Sequence, residues 1–489
     1  MAASNQLKNQ HLLWRAGFGP MAENAAQLAS LSQKKLWELL LNTSQKQPEK
    51  IEVAKSVVDG LFKGMKDLGE IDKIKNTDPS AETKKLARAE SREQLNNLNM
   101  RWLDEMINSE AQLREKMSLF WHGHFACRVI HSYFQQELLQ IIRTNSLENF
   151  GVMLMAVSKS PSMLQFLNNQ QNRKGRPNEN FAREVMELFT MGHGNYSEQD
   201  VKEAARAFTG WGFDIQGEFV FREQFHDGGL KTFLGETGNF RGDDIIKILL
   251  ARPETADHIS RKMYAYFINE KVDPEKHRWL SQRFFRNGYD IKKLLEDIFM
   301  SAWFYDERNI GAKIKSPVEL LVGIRRFLPL ELDNDASQLL FQKVLGQVLF
   351  YPPNVAGWRG GRNWIDSSTL MVRLQMPQVF ASKERINIRP KNDDDVNMGQ
   401  AMDTLIRIKK NKFFAGKGGG ADINWRLVYD VFATTSRENL IQRITETLFQ
   451  TSSRIPLPLL TRYIDSGNRE NYIKSAVIGL MSTPEYQLC

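Results

Sequence analysis

The sequence predicts a mainly α fold: a multi-helix globular body with a small β-hairpin excursion and long ordered loops. Three observations carry that prediction. Apolar residues recur at helical spacing along most of the 489 residues, in stretches closed by capping residues and brief loops. Two-residue alternation is confined to Glu218–Phe221, inside a Gly- and aromatic-rich segment near 213–240. The stretch Gln347–Asp366 carries paired prolines, three glycines and two tryptophans, too many interruptions for a regular helix and the composition of a long ordered loop.

In chain order, His11–Pro20 reads as a helix ended by Gly17, Gly19 and Pro20, and helical patterning resumes over Ala22–Leu41. From Glu49 to Leu119 charges of both signs alternate with isolated apolar residues, as in long amphipathic helices, with a break near Asn76–Pro79. His131–Phe150 and Val152–Leu167 read as two further helices joined near Gly151. Next comes a polar loop from Asn168, followed by a helix with Asn178 as N-cap and Gly192 as the C′ residue. Phe181, Ala182, Val185, Met186, Leu188 and Phe189 share one face of it; Asn180, Arg183, Glu184 and Glu187 share the other. Ser197 opens the following helix, its hydroxyl placed to cap the amide of Asp200, and Gly210 ends it. A Gln216-Gly217 turn starts the hairpin. Helices return over Asp243–Ala251, Glu254–Ile268, Trp279–Phe285 and Ile291–Phe299. The polar stretch Arg389–Asp395 is the expected boundary between a main helical domain, 1–388, and a C-terminal helical region, 389–489, packed on it. The Gly-Lys run at 416–420 lacks the spacing of a phosphate loop.

Composition narrows the function. Hydrophobic residues at 42% and charged residues at 25% are globular values, which excludes a disordered or fibrous chain. The net charge of +8 is spread thinly, with Lys and Arg alternating with Asp and Glu, so no basic stripe calls for nucleic acid. Cys127 and Cys489 supply neither a disulfide framework nor a paired metal spacing. The first residues hold no apolar run of signal-peptide length and no twin arginine, and no span of transmembrane length follows; the chain as written is expected to be soluble and cytoplasmic.

Chemistry is expected where polar groups crowd. His122 and His124 form the one close histidine pair, and they can share a metal only if Gly123 breaks the helix, because residues two apart on a helix point roughly 200° apart. His226 and Asp227 stand in a Gly-flanked loop as a further ligand and acid/base pair, with an Asx-turn role for Asp227 as the competing reading. Glu184, Glu187 and Arg183 are the candidate catalytic side chains of the helix face, with Asn180 and Arg176 as substrate contacts. Trp358 and Trp364 flank Arg359–Arg362 and are candidates for an aromatic platform suited to a sugar face.

Read together, HLLWRAGFGP, REKMSLFWHGHF, NNQQNRKGRPNENFAREVMELFTMG, YSEQDVKEAARAFTGW, HDGGLKTFLGETGNF, KSPVELLVG and PPNVAGWRGGRNWIDSSTL closely resemble, in order and over nearly the whole chain, the bacterial family called domain of unknown function 1800. The resemblance implies that these blocks form one family-defining assembly, but it supplies no reaction. It also implies an envelope or extracellular role beside a sulfatase-like partner, since family members are often exported and encoded next to one. The first expectation is therefore a metal-assisted enzyme, a hydrolase or an oxidoreductase, acting on a polar or glycan-like substrate. In it a divalent metal sits on His122, His124 and His226, with Glu184, Glu187, Arg183 and Asp227 as catalytic groups. The second is a non-catalytic glycan- or protein-binding component that uses Trp358 and Trp364.

Overall fold

Capping side chains decide where the helices begin. The structure, a computed structural model, describes residues 3–56, 81–382 and 421–489. Helix α1 (Asn5–Ala16) is opened by the Ser4 hydroxyl, which accepts from the amide of Leu7, and α2 (Gln33–Ser44) by Ser32, which accepts from Lys35. Ser32 divides the helix expected over Ala22–Leu41, because a capping serine offers the backbone a local partner in place of the helix ladder. Next come α3 (Ala81–Asn108), α4 (Gln112–His124) and α5 (Ser132–Asn145). The joint expected at Gly151 lies earlier: Asn149 caps α6 (Phe150–Lys159), Gly151 sits inside that helix, and Ser160 with Pro161 starts α7 (Pro161–Phe166).

Helix α8 (Asn180–Glu187) follows the polar loop. Asn178 is one residue too early to be its N-cap; its Oδ1 accepts from the Asn180 amide at 3.0 Å. Gly192 has a left-handed φ of 80° but is not the C′ residue expected, because α8 ends at Glu187 with Leu188 as its C-cap. Helix α9 (Glu198–Ala207) carries the Ser197/Asp200 capping box. The expected hairpin is two hairpins. Strand β1 (Trp211–Phe213) pairs antiparallel with β2 (Phe219–Phe221), and β3 (Lys231–Phe233) with β4 (Glu236–Gly238). The second turn runs through Leu234 and Gly235, both at positive φ, the requirement of a tight two-residue hairpin loop.

Helices α10 (Gly242–Ala251), α11 (Pro253–Phe267), α12 (Pro274–Arg286) and α13 (Ile291–Phe299) lead to α14 (Pro317–Phe327), which starts with a Ser316/Glu319 capping box. Beyond it stand α15 (Ala336–Leu345), α16 (Ser367–Ser382), α17 (Trp425–Val431), α18 (Leu440–Leu448) and α19 (Arg469–Met481). One strand pair escaped the sequence: β5 (Leu330–Leu332) with β6 (Ala421–Ile423). The expected helix break near Asn76–Pro79, the boundary at Arg389–Asp395 and the 416–420 run lie outside the described residues.

Buried side chains form two groups. One gathers Leu12 and Ala16 with residues of α2 and of α4 to α13. The other gathers Phe18 with α3, α14 and the helices from α15 to α19. Helix α4 is the wall between them, placing Met117, Phe120 and Trp121 in the first group and Leu119 in the second. Among the described residues no helix is long and apolar enough to cross a membrane.

Candidate functional site

The His122-Gly123-His124 triplet ends α4, and the helix runs through Gly123 without a break. A glycine inside a helix costs about 1 kcal/mol, which the buried residues around it outweigh. The two imidazoles therefore point to opposite sides of the wall. His122 faces the second group, 5.2 Å from the Trp102 ring and 5.1 Å from that of Phe350. Its Nε2 accepts from the Phe350 amide at 3.1 Å, so Nδ1 carries the proton. His124 faces the first group, against Phe125 and Phe189. Its Nε2 lies 3.3 Å from the Phe189 carbonyl, which can only accept, so here Nε2 carries the proton and Nδ1 is a buried lone pair with no partner among the described residues. The pair works as a two-sided clip, one ring pinning the 350–358 loop and the other the end of α8.

Gly357 seals that clip. It has φ 75°, and a Cβ there would overlap the Gly123 carbonyl oxygen. Gly357→Ala is expected to lower stability by about 2–3 kcal/mol, read from urea unfolding midpoints. An unchanged midpoint would show that the loop does not rest on α4.

His226 lies elsewhere, bonded through Nδ1 to the Thr209 carbonyl at 3.0 Å. Asp227 does not support it: its carboxylate takes a two-point contact from Arg206 at 2.9 and 3.2 Å and accepts from the Gly229 amide, the Asx-turn reading. The Arg206 bonds hold the Asp227 carboxyl down to about 2, so it is a poor proton carrier near neutrality. Among the described residues no three His, Cys, Asp or Glu side chains are grouped to hold a metal ion. The set that a divalent metal would need on His122, His124 and His226 is therefore not assembled, because an unbroken helix turns the first two apart.

The polar face of α8 keeps its expected residues together. Arg183 makes a fork-to-fork pair with Glu198 at 2.7 and 2.8 Å and a longer one with Glu179. Glu187 accepts from the Tyr196 hydroxyl at 2.5 Å and lies 3.5 Å from His193 Nδ1. Glu184, one turn back on the same face and half-buried, is raised above the ordinary carboxylate range by burial and then by Glu187, with Arg183 opposing. Asn180 donates to the Leu167 carbonyl at 3.3 Å, and Arg176 is exposed in the turn through Gly175. Beside it the Arg173 guanidinium lies 4.4 Å over the Phe225 ring.

The tryptophans make no open platform: Trp364 is 8% exposed, and Trp358 packs its ring 5.7 Å from that of His122. The loop folds Trp364 inward.

Three side chains absent from the sequence expectations complete the site. His258 on α11 points Nε2 at the Leu188 carbonyl, 3.3 Å away, so the end of α8 is held from two sides by His124 and His258. Lys262, one turn on, is pulled down to about 8 by burial, and its charge lowers both histidines further. Tyr196 is the third. The spacing of His258 and Lys262 at i,i+4 puts them on one helix face, a signal present in the sequence but indistinguishable there from an exposed pair.

The HGH triplet thus meets the end of α8 on one side and the 350–358 loop on the other, while His226 and Asp227 stand apart. A sequence model of the family described as "Protein of unknown function (DUF1800)" matches residues 11–488. The chain belongs to the DUF1800 family. No curated protein and no solved structure matches it.

Burial sets one pH response of this DUF1800 chain. It lowers His122 to about 3 and His258 to about 4, and pushes His11 and His124 well below the ordinary value of 6.5. With the folded value below the unfolded one, the unfolded chain takes up protons first as pH falls. Stability from these residues is full above about 6.5 and drains toward about 3. Urea midpoints are expected to decline across that window, and the decline to be shallower in His122→Gln. Equal slopes in the two proteins would show that His122 is already protonated in the fold.

Proposed function

We propose that the protein is an acid–base hydrolase for a polar, glycan-like substrate, with Glu184 and Glu187 as the reacting pair. The observation that carries this reading is the pair itself: two carboxylates three residues apart on one half-exposed helix face, in unlike surroundings. Glu184 is pushed toward its protonated form, while Glu187 is fixed by the Tyr196 hydroxyl. Unlike environments around neighbouring carboxyls are how one acid and one base coexist near neutral pH. In the proposed step Glu184 gives its proton to the leaving oxygen as the bond to it breaks. Glu187 takes a proton from the water that attacks the other atom, so one water is consumed and two hydroxyl products form. Arg183, held by Glu198 and Glu179, fixes the face, and exposed Arg173, Lys174 and Arg176 with Asn180 offer donors along its edge.

The test is a screen of neutral and acidic oligosaccharides for new reducing ends, run with wild type and with Glu184→Gln. Product formed by wild type and lost in the variant supports the reading. Product formed equally by both would sink it, and so would no product from any substrate class with a folded wild type.

A further inference from the structure

The chain buries a second set of charged groups that the proposed reaction does not use. Arg15, Lys116, Lys313, Lys315 and Arg373 are each at most 7% exposed. They come from α1, α4, the segment before α14, and α16. Their contacts join them. Glu319 accepts from the Lys116 ammonium and, at 3.1 Å, from that of Lys313. Lys315 Nζ stands 3.6 Å from the Trp14 ring centre and 3.8 Å from that of Tyr486, and donates to the Tyr486 carbonyl at 2.6 Å. Arg373 Nη2 donates to the Lys315 carbonyl, and Arg15 Nη2 to the carbonyls of Asn309 and Cys489.

Charge does not balance in this chamber. Five cationic side chains face the Glu319 carboxylate and the negative charge at Cys489, with Glu270 as a further negative neighbour of Arg15, so cations remain in excess. A buried cation loses most of its hydration and regains it only from anionic or hydrogen-bonding partners. Donors are left over as well. Nε and Nη1 of Arg373 and the hydroxyls of Tyr266 and Tyr486 are buried with no partner among the described residues. Tyr266 belongs to the same chamber, since Lys313 Nζ lies 4.0 Å over its ring. Burial draws Lys315 down to about 7 and Lys116 to about 8, the direction of amines short of negative partners.

We propose that this chamber binds a compact anion, an inorganic oxyanion, a halide or a small carboxylate, held by Arg373 and Lys315 with the tyrosine hydroxyls donating to it. The site is separate from the α8 face, so its test does not depend on hydrolysis. The full chain is dialysed into a buffer whose only anion is a bulky sulfonate, then denatured and analysed by ion chromatography. In parallel, unfolding midpoints are followed against phosphate, bromide and acetate at constant ionic strength. The expected result is about one anion released per chain, or a midpoint rise that saturates with one of the three, whose identity then assigns the ligand. Arg373→Met should bind that anion about tenfold or more weakly. It should also reverse sign: stabilised relative to wild type in the bulky buffer, where an unpaired buried charge has been removed, and destabilised once the anion is present. Should Arg373→Met not fold, Tyr486→Phe removes one partnerless hydroxyl and must still weaken binding. No released anion together with no saturable rise in wild type would overturn the proposal, leaving the amines neutral and the chamber a packing device.

Discussion

Glu319→Leu will lower the stability of the chain by about 3–5 kcal/mol, the range seen when one member of a buried ion pair is removed. The carboxylate is wholly buried, and it accepts from two ammonium groups and from the Ser316 amide at 2.7 Å. Burial alone would push its pKa up, but Lys116 and Lys313 together outweigh that and hold it well below the carboxylate range. Leucine leaves both ammoniums without an anion and opens the capping box of α14. Removing one of the two stranded ammoniums should recover part of the loss: Lys116→Met added to Glu319→Leu is expected to be more stable than Glu319→Leu alone, with Lys313 still without its anion. Urea unfolding of the three proteins reads this directly. The exposed Arg183–Glu198 pair is the control, and Glu198→Gln should change stability by no more than about 1 kcal/mol. A Glu319→Leu loss no larger than the control would mean that the lysines are already neutral in the fold.

Glu184→Gln is expected to lower turnover of a hydrolysed substrate by about 10²–10⁴-fold, the usual contribution of one positioned general acid. Glutamine keeps the shape and the hydrogen-bonding reach of the side chain but has no proton to give. The loss should therefore fall on kcat, with KM changed far less. Stability gives the necessary contrast. Glu184 is half-buried and its ionised form is disfavoured by burial and by Glu187, so an uncharged glutamine there should leave the variant no less stable than wild type. A variant that loses KM and fold together would assign Glu184 to structure.

What was legible in the sequence was local. The Ser197/Asp200 capping box and the two faces of α8 depend on residues within one turn of each other, and each stands where the sequence puts it, whereas the end of α8, expected just before Gly192, comes at Glu187. The HGH triplet shows the limit. Taking Gly123 as a breaker weighs its propensity alone, whereas Trp121, Phe125 and Leu119 on either side of it bury enough surface to hold the helix. The second hairpin depends on Leu234 adopting φ 48°, which its side chain gives no reason to expect. Pairing of β5 with β6 joins residues some ninety positions apart and leaves no local trace. The buried cations were least legible of all. Arg15, Lys116, Lys315 and Glu319 lie inside recognised blocks, yet a lone charge in a helix reads as a solvated face until distant segments are seen to close over it.

The most direct measurement is a carbon-13 titration of the Glu184 carboxyl in the intact protein, assigned by comparison with Glu184→Gln and repeated in Glu187→Gln. The midpoint is expected above the ordinary carboxylate value, moving down when the neighbouring charge of Glu187 is removed. A midpoint at or below the ordinary value, unmoved in Glu187→Gln, would contradict it and leave the α8 face without an acid.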